Sequence, residues 1–339
     1  MFVLTFYLVF VESCVYLRVS CNFRPTEMKI KNLLLFAIFS LLFSCANRQL
    51  IKTRNNDKIS FRWESFDFEG KNYKYGAMYV PVKIPTIDKE FEMQFDLGMN
   101  VNIAYENPLN TIIAEYPKLK NSYFKRGDYE IFYTNLFLDN LKSSVDSLFV
   151  YKDFGSNEPF EKLKKIGTIG VNEVENKVLI IDYPKQTLQI AENSKSISST
   201  DYVFTPIEIF NGKIKINLNI DGQDYAFLFD TGAGLVPATT IDSLLYKEIT
   251  TNETKNQDTI TANSWGEATT LIGNKIIKRI KVNNYPLEIE SKKFYYTNSE
   301  KHQKFFKDLD LYGSIGNEFF ISDIIVIDLE RKLFGIKKK

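Results

Sequence analysis

Histidine and cysteine are scarce in this chain. Its 339 residues include one histidine, His302, and three cysteines, Cys14, Cys21 and Cys45, all close to the N-terminus. Zinc sites built from Cys and His, Cys-His proteases and a Cys-rich disulfide framework therefore lack their residues in the body of the chain. His302 lies in the polar segment 299–304, which favours a surface position over a place in a Ser-His-Asp triad.

An excess of charge of one sign is also lacking. The formal net charge is +1, so no broad electrostatic field favours nucleic acid as a partner. Aromatic residues, in contrast, make up 14% of the chain, with 28 Phe and 19 Tyr, a composition that suits buried extended strands. The length allows two lobes with separate cores.

A secretory signal is predicted at residues 28–45. A basic segment, 28–32, precedes an apolar run, 33–43, and then Ser44 and Cys45. Residues 42–45 resemble the lipobox of bacterial lipoproteins, and that resemblance implies that Cys45 is diacylated and becomes the first mature residue. We then expect a lipid-anchored protein of the bacterial cell envelope, in the outer membrane rather than the inner. The alternative is a plain signal peptide or a short membrane helix.

Two flanking segments complete this N-terminal prediction. Residues 1–27 are apolar without a basic start, and are interpreted as an upstream extension assigned in error, with Met28 as the true start. Residues 46–58 are polar and predict a tether. A mature chain beginning at Cys45 would retain one cysteine and form no internal disulfide.

The most informative feature is an internal duplication. Phe95-Asp96-Leu97-Gly98 is echoed by Phe229-Asp230-Thr231-Gly232, and each copy is followed by a Gly-x-Ile-Gly block. The downstream blocks, 167–190 and 313–336, align without a gap, since 313 minus 167 and 336 minus 190 both give 146. Two aspartates have thus been placed at equivalent positions of two repeat units.

The repeat predicts an N-terminal lobe at 59–192, a linker at 193–203 and a C-terminal lobe at 204–339. Segment 213–220 alternates polar and apolar residues, and Asp221-Gly222 is a strong hairpin turn. The return strand, 225–229, is apolar on both faces and predicts an internal strand that ends at Asp230. Strand patterns outnumber helical ones, so we expect a mainly β protein.

These motifs resemble the two-lobed aspartic peptidases of the pepsin and retropepsin kind. The resemblance spans roughly residues 75–337 and implies their acid-protease fold with a pseudo-two-fold axis. It also implies an endopeptidase that hydrolyses peptide or protein substrates through Asp96 and Asp230, as a monomer and without metal or cofactor. The implied loop-support residues are Gly98, Thr231, Gly232 and Ala233.

The first loop departs from the family pattern at Leu97, where the family has Thr or Ser. The missing hydroxyl leaves open a second hypothesis, a catalytically impaired lipoprotein whose cleft binds peptide or another envelope component. A purely structural role for the paired aspartates is a third hypothesis. Asp182 and Asp328, which the repeat also pairs, are interpreted as structural.

Two segments are candidates for a flap over the cleft. One contains Trp265 near the tip of a predicted turn, and the other contains Tyr123 and Tyr129. Glycine-containing mobile loops are common lids. The alternative for each segment is a surface hairpin with aromatic packing.

Overall fold

The computed structural model describes residues 6–11, 14–19, 58–68, 70–253, 257–264 and 267–339. The chain divides into two units, 1–55 and 56–339. In the first unit, strands β1 (Phe6–Val11) and β2 (Cys14–Val19) form an antiparallel pair. The predicted lipidation site Cys45 and the predicted flap residue Trp265 lie outside the described residues. Within the described part of the chain, no helix combines the length and apolarity needed to cross a membrane.

The second unit is mainly β and has two sheet-rich halves, which confirms the mainly β prediction. The described part of the first half contains one α-helix, α1 (Glu106–Glu115), which follows the fifth strand of that half. Its strands are β3 (Lys58–Ser60), β4 (Arg62–Phe68), β5 (Lys71–Lys83), β6 (Glu90–Phe95), β7 (Ile103–Tyr105), β8 (Tyr123–Arg126), β9 (Tyr129–Tyr133), β10 (Phe137–Leu138), β11 (Leu141–Lys142), β12 (Ser147–Tyr151), β13 (Lys165–Ile169), β14 (Val178–Asp182) and β15 (Thr187–Ala191).

The second half contains helices α2 (Ser243–Ile249) and α3 (Glu300–Asp308). Its strands are β16 (Tyr202–Pro206), β17 (Glu208–Phe210), β18 (Lys213–Ile220), β19 (Gln223–Phe229), β20 (Ala238–Thr240), β21 (Asp258–Ser264), β22 (Glu267–Lys275), β23 (Ile280–Val282), β24 (Tyr285–Pro286), β25 (Lys293–Tyr296), β26 (Gly313–Ile315), β27 (Ile324–Asp328) and β28 (Leu333–Lys337). Short 3₁₀ turns occupy Pro117–Ser122, Val171–Val174, Ser194–Ser196, Ser199–Asp201 and Asn317–Phe320.

Each half has its own ten-stranded sheet, and the strand orders match. The first runs β8-β9-β12-β7-β13-β6-β5-β10-β11, and the second runs β21-β22-β25-β20-β26-β19-β18-β23-β24. In each sheet one further strand lies off this path, β4 on β5 and β17 on β18. The duplication seen in short motifs therefore extends over both sheets.

A third, six-stranded sheet joins the halves, in the order β16-β28-β27-β14-β15-β3. Its central strands β14 and β27 are antiparallel, and Ile180 lies opposite Val326. These two residues are separated by the repeat offset, since 326 minus 180 gives 146. The shared sheet is therefore symmetric about this residue pair, and backbone hydrogen bonds connect the two halves.

The hairpin of β18 and β19 shows how the sequence places the second aspartate. Alternate residues of β18 are buried, and the turn residues Asp221 and Gly222 have φ of 48° and 98°, as a tight hairpin turn requires. Phe227, Leu228 and Phe229 are all buried because β19 lies between β18 and β26. The predicted internal strand is present and ends next to Asp230.

Asp182 and Asp328, the other two aspartates that the repeat pairs, stabilise turns. Asp328 accepts hydrogen bonds from the backbone N–H of Arg331 at 2.7 Å and from its Nε at 2.6 Å. Asp182 accepts one from the backbone N–H of Lys185 at 3.1 Å. Both contacts stabilise the turn after the strand, as the structural interpretation of these residues expects.

The expectation of a surface position for His302 is wrong. The side chain is 8% exposed, its Nδ1 lies 3.1 Å from the Ser299 hydroxyl, and its ring lies beside Phe306. His302 and Phe306 are one helical turn apart on α3, so they share the face that packs on the core.

Candidate active site

The two Asp-x-Gly loops follow equivalent internal strands. Strand β6 pairs in parallel with β13, and β19 pairs in parallel with β26. The backbone N–H of Asp96 donates to the Ile169 carbonyl at 2.9 Å, and that of Asp230 donates to the Ile315 carbonyl at 3.0 Å. The Gly-x-Ile-Gly blocks thus anchor both loops at the point where the strands end.

Both loops have the same local turn. The Oδ1 atom of Asp96 accepts from the backbone N–H of Gly98 at 2.8 Å, and that of Asp230 accepts from Gly232 at 2.8 Å. Met99 N–H donates to the Asp96 carbonyl in the same way as Ala233 N–H donates to the Asp230 carbonyl. Each carboxylate is therefore held by its own backbone.

The structure brings Asp96 and Asp230 together. The two carboxyls are close enough for the charge of Asp230 to raise the pKa of Asp96. Each carboxyl also lies directly on the glycine of the opposite loop, so that a β-carbon on Gly98 would overlap Asp230 and one on Gly232 would overlap Asp96. Glycine is required at both positions because only a residue without a β-carbon permits this approach.

The pKa of Asp96 in this pair differs from that of an isolated aspartate. Burial raises the pKa of Asp96 well above its ordinary value, and the neighbouring Asp230 carboxyl raises it further through charge and hydrogen bonding. Two carboxylates in contact do not both ionise readily, so they share a proton.

Lys213 is a third ionisable group at the site, and the sequence analysis did not single it out. Its Nζ donates to the backbone carbonyl of Gly98. Burial lowers the pKa of Lys213, while the charges of Asp230 and Asp96 act in the opposite direction. A signal was available, because Lys213 begins β18 one residue before Ile214, which pairs with Phe229 beside Asp230.

Among the residues that the structure describes, one hydroxyl links the two loops. The Thr231 hydroxyl accepts from the backbone N–H of Leu97 at 2.8 Å and donates to the carbonyl of Phe95 at 3.1 Å. Leu97 and Thr231 are both fully buried, and Leu97 packs into the main apolar core. The second loop therefore contributes a polar bridge, and the first contributes an apolar side chain at the equivalent position.

A buried tyrosine and amide support the second loop. Asn317 donates from Nδ2 to the Thr231 carbonyl at 2.7 Å and accepts from the Tyr183 hydroxyl at 2.6 Å. Tyr183 belongs to the first half, so this contact also crosses between halves. Neither residue was predicted, because both lie far in sequence from the loop that they support.

The first half has a different support around Asn102. Its Oδ1 accepts from the Gly170 N–H at 2.9 Å, and its Nδ2 donates to the buried Glu173 carboxylate at 3.2 Å. Tyr105, which ends β7, bonds the Thr168 hydroxyl at 2.8 Å. Burial raises the pKa of Tyr105, and the nearby Asp96 charge adds to this effect.

The two predicted flap segments are both hairpins. Strands β8 and β9 contain Tyr123 and Tyr129, and strands β21 and β22 flank Trp265. The Tyr123 hydroxyl donates to Glu130, whereas Tyr129 is 66% exposed with its ring edge on Phe149. The flap role of both tyrosines stays a prediction.

Comparison with protein-family models finds none that matches the chain, and comparison with curated proteins finds no match either.

Proposed function

We propose that this protein is an aspartic-type endopeptidase with a pepsin- and retropepsin-like two-lobed fold. The observation that carries the proposal is the reciprocal packing of the Asp96 and Asp230 carboxyls, each of which lies on the glycine of the other loop. Equivalent loops on duplicated, internally paired strands support it, because such loops place two carboxylates face to face without any further ligand.

The shared proton gives the two carboxyls different roles, and the proposal places it on Asp96, whose pKa burial raises. Asp230 accepts a proton from a water molecule as the water oxygen attacks the scissile carbonyl carbon. Asp96 donates its proton to the carbonyl oxygen, giving a neutral tetrahedral diol. Asp230 then returns its proton to the amide nitrogen, the C–N bond breaks, and Asp96 takes back the hydroxyl proton as the carboxylic acid product forms.

A peptidase assay over acidic to neutral pH tests this proposal. The full chain is incubated with a diverse peptide library beside Asp96→Asn and Asp230→Asn. The expected result is cleavage by the parent protein and loss of at least about a thousandfold in rate in each variant, as for removal of a group that acts in the transition state. Cleavage that persists in both variants would exclude the dyad.

A peptide-binding protein without catalysis is the second candidate, and Leu97 is the observation that favours it. A missing cross-loop hydroxyl allows positional error, and about 1 Å of misplacement costs about a hundredfold in rate. Retention of uncleaved library peptides by the parent protein, abolished by substitutions in the cleft, would support this candidate over the peptidase.

Anchoring at Cys45 is a separate proposal, supported by the sequence of residues 28–45. Two or more acyl chains give stable anchoring because each buried methylene contributes about 0.8 kcal/mol. Labelled palmitate should enter the parent protein, and Cys45→Ala should abolish labelling. An unlabelled parent protein recovered from the soluble fraction would contradict the proposal.

A further inference from the structure

The two halves differ in the length of one hairpin. In the second half, β17 and β18 turn at Asn211 and Gly212, and Gly212 lies beside Asn100 of the first loop. In the first half, the equivalent hairpin of β4 and β5 is much longer, because β5 alone has 13 residues. Its additional length carries it onto the second half.

Three successive contacts fix β5 there. The Gly76 carbonyl lies directly on Gly234, which follows Asp230 by four residues. Further along the strand, Tyr73 packs against an apolar cluster of the second half. Near the turn, Lys71 forms an ion pair with Asp258.

The apolar cluster links the catalytic loop to the β21–β22 hairpin. It comprises one residue after the loop, one on each strand of the hairpin and one on β25: Val236, Ile260, Leu271 and Tyr295. Asp258, at the start of β21, also pairs with Lys293 at 2.9 Å and accepts from the Tyr295 hydroxyl at 3.3 Å. Strand β5 therefore occupies the space between the second catalytic loop and the β21–β22 hairpin.

The occupied length is substantial for a peptide. From Lys71 to Gly76 the strand covers about 16 Å, at about 3.3 Å per residue, which is the length of about five substrate residues. An extended substrate on this side would need the same backbone and apolar contacts that β5 already makes.

On the side of the cleft formed by the first half, aromatic side chains are exposed next to Asp96. A row of aromatic rings leads outward from Tyr105, beside Asp96, to Phe154 and Tyr151, with centroid separations of 4.8 and 5.1 Å. Phe154 and Tyr151 are 46% and 48% exposed. These rings offer an apolar surface to substrate side chains next to the dyad.

We infer that the β4–β5 hairpin closes the second half's side of the cleft and restricts substrates to peptides with few residues on that side of the scissile bond. This inference rests on the proposed peptidase function and specifies its substrate class: peptides cleaved near one end, with aromatic or apolar residues on the other side of the bond. Lys71 and Tyr73 are the specificity-determining residues.

A length series of peptides tests the inference. Peptides sharing one cleavable core and blocked ends are extended by about five residues at either terminus, and kcat/KM is measured for each. Extension at one terminus should lower kcat/KM of the parent protein at least tenfold. The double variant Lys71→Ala/Tyr73→Ala should remove this loss.

Tyr312→Ala is the matched control. Tyr312 is a tyrosine of the second half that is 37% exposed and packs on Tyr225. It directly precedes β26 and does not belong to the apolar cluster described above, against which Tyr73 packs. The control variant should keep the length preference of the parent. Equal kcat/KM for all lengths in the parent, or an unchanged preference in the double variant with its fold intact by circular dichroism, would overturn the inference.

Amide hydrogen exchange separates this inference from the catalytic proposal. Docking of the hairpin predicts slow exchange in segments 71–76 and 258–264 of the parent and fast exchange in the double variant. That pattern without cleavage of any peptide would reject the catalytic proposal and leave the closure supported. Fast exchange of 71–76 in the parent would reject the closure whatever the peptidase assay shows.

Discussion

The two Asp-x-Gly loops share a backbone and differ in one side chain. In both, the aspartate N–H is held by an isoleucine carbonyl and the carboxylate accepts from the glycine two residues on. Thr231 then adds a hydroxyl bridge to the other loop, whereas Leu97 adds apolar packing. The two loops therefore share their strand pairing and their turn, and differ in the hydroxyl bridge that Thr231 makes to the other loop.

Removing the shared feature of the loops should have the largest effect. A methyl group on Gly98 or Gly232 has to displace the opposite carboxyl, because the β-carbon and the carboxyl would overlap. We expect Gly98→Ala and Gly232→Ala each to lower kcat about a hundredfold or more, as a shift of about 1 Å predicts. Activity within threefold of the parent in either variant would show that the carboxyls do not require this contact.

Removing the Thr231 hydroxyl bridge should have the second largest effect. Thr231→Val leaves the Leu97 N–H and the Phe95 carbonyl without their partner, and should cost about 2–4 kcal/mol of stability and at least tenfold in kcat. Chemical denaturation and peptide hydrolysis measure the two effects.

Thr240→Val is the matched control for this prediction. The fully buried Thr240 hydroxyl also accepts from one backbone N–H, of Asp242, and donates to one carbonyl, of Tyr312. It should lose comparable stability and keep its activity per folded molecule. Equal loss of activity in both variants would reduce the role of Thr231 to stability alone.

Giving the first loop the hydroxyl that the second loop has should increase activity, by a smaller factor than the losses above. Leu97→Thr supplies the hydroxyl that the first loop lacks, and we expect kcat to rise about tenfold while stability falls by about 1–3 kcal/mol through lost packing. Leu97→Ala, which removes packing without supplying a hydroxyl, should lose stability with no gain in kcat. A gain in Leu97→Ala as well would mean that bulk rather than polarity limits the first loop.

Lys213 makes the electrostatic environment of the loops asymmetric, and its removal should shift the pH profile. The Lys213 charge lowers the raised pKa of Asp96, so Lys213→Met should raise that pKa and move the alkaline limb of kcat to higher pH. Lys215→Met, on the same strand beside Glu208, is the control and should leave the profile unchanged. A shift towards lower pH in Lys213→Met would contradict this electrostatic effect of Lys213.

The smallest expected effect is the change in the free energy of unfolding of Asp96→Asn. Because the pKa of Asp96 is raised in the folded state, its contribution to stability is fully present below the unfolded pKa, about 3.9, and is lost as pH rises through the folded pKa. Asp96→Asn should therefore be more stable than the parent at neutral pH, by about 1 kcal/mol, and less dependent on pH. Thermal unfolding across this pH range measures the difference, and parallel curves would contradict it.

Local patterns of the sequence predicted the strands and loops well. The alternation in 213–220, the Asp221-Gly222 turn and the constant offset of 146 residues together indicated a duplicated, mainly β chain. These features are predictable because side-chain periodicity and turn preferences act between residues close in sequence.

Contacts between distant segments were not predictable in this way. Tyr183 reaches Asn317, and Lys213 reaches Gly98, across the boundary between the halves, and no local period marks either contact. His302 was misassigned because its neighbours are polar, although its helical spacing from Phe306 places it on the buried face. The docking of β5 on the second half likewise depends on tertiary packing.

The symmetric pairing of β14 with β27 has a consequence for the second half taken by itself. Since Val326 lies opposite its own repeat image, Ile180, strand β27 has a hydrogen-bonding edge that matches a second β27 in antiparallel register, with Val326 opposite Val326. Each half therefore carries a self-complementary edge, and the covalent connection between the halves determines that unlike copies meet. That connection is what allows a leucine loop and a threonine loop to face each other.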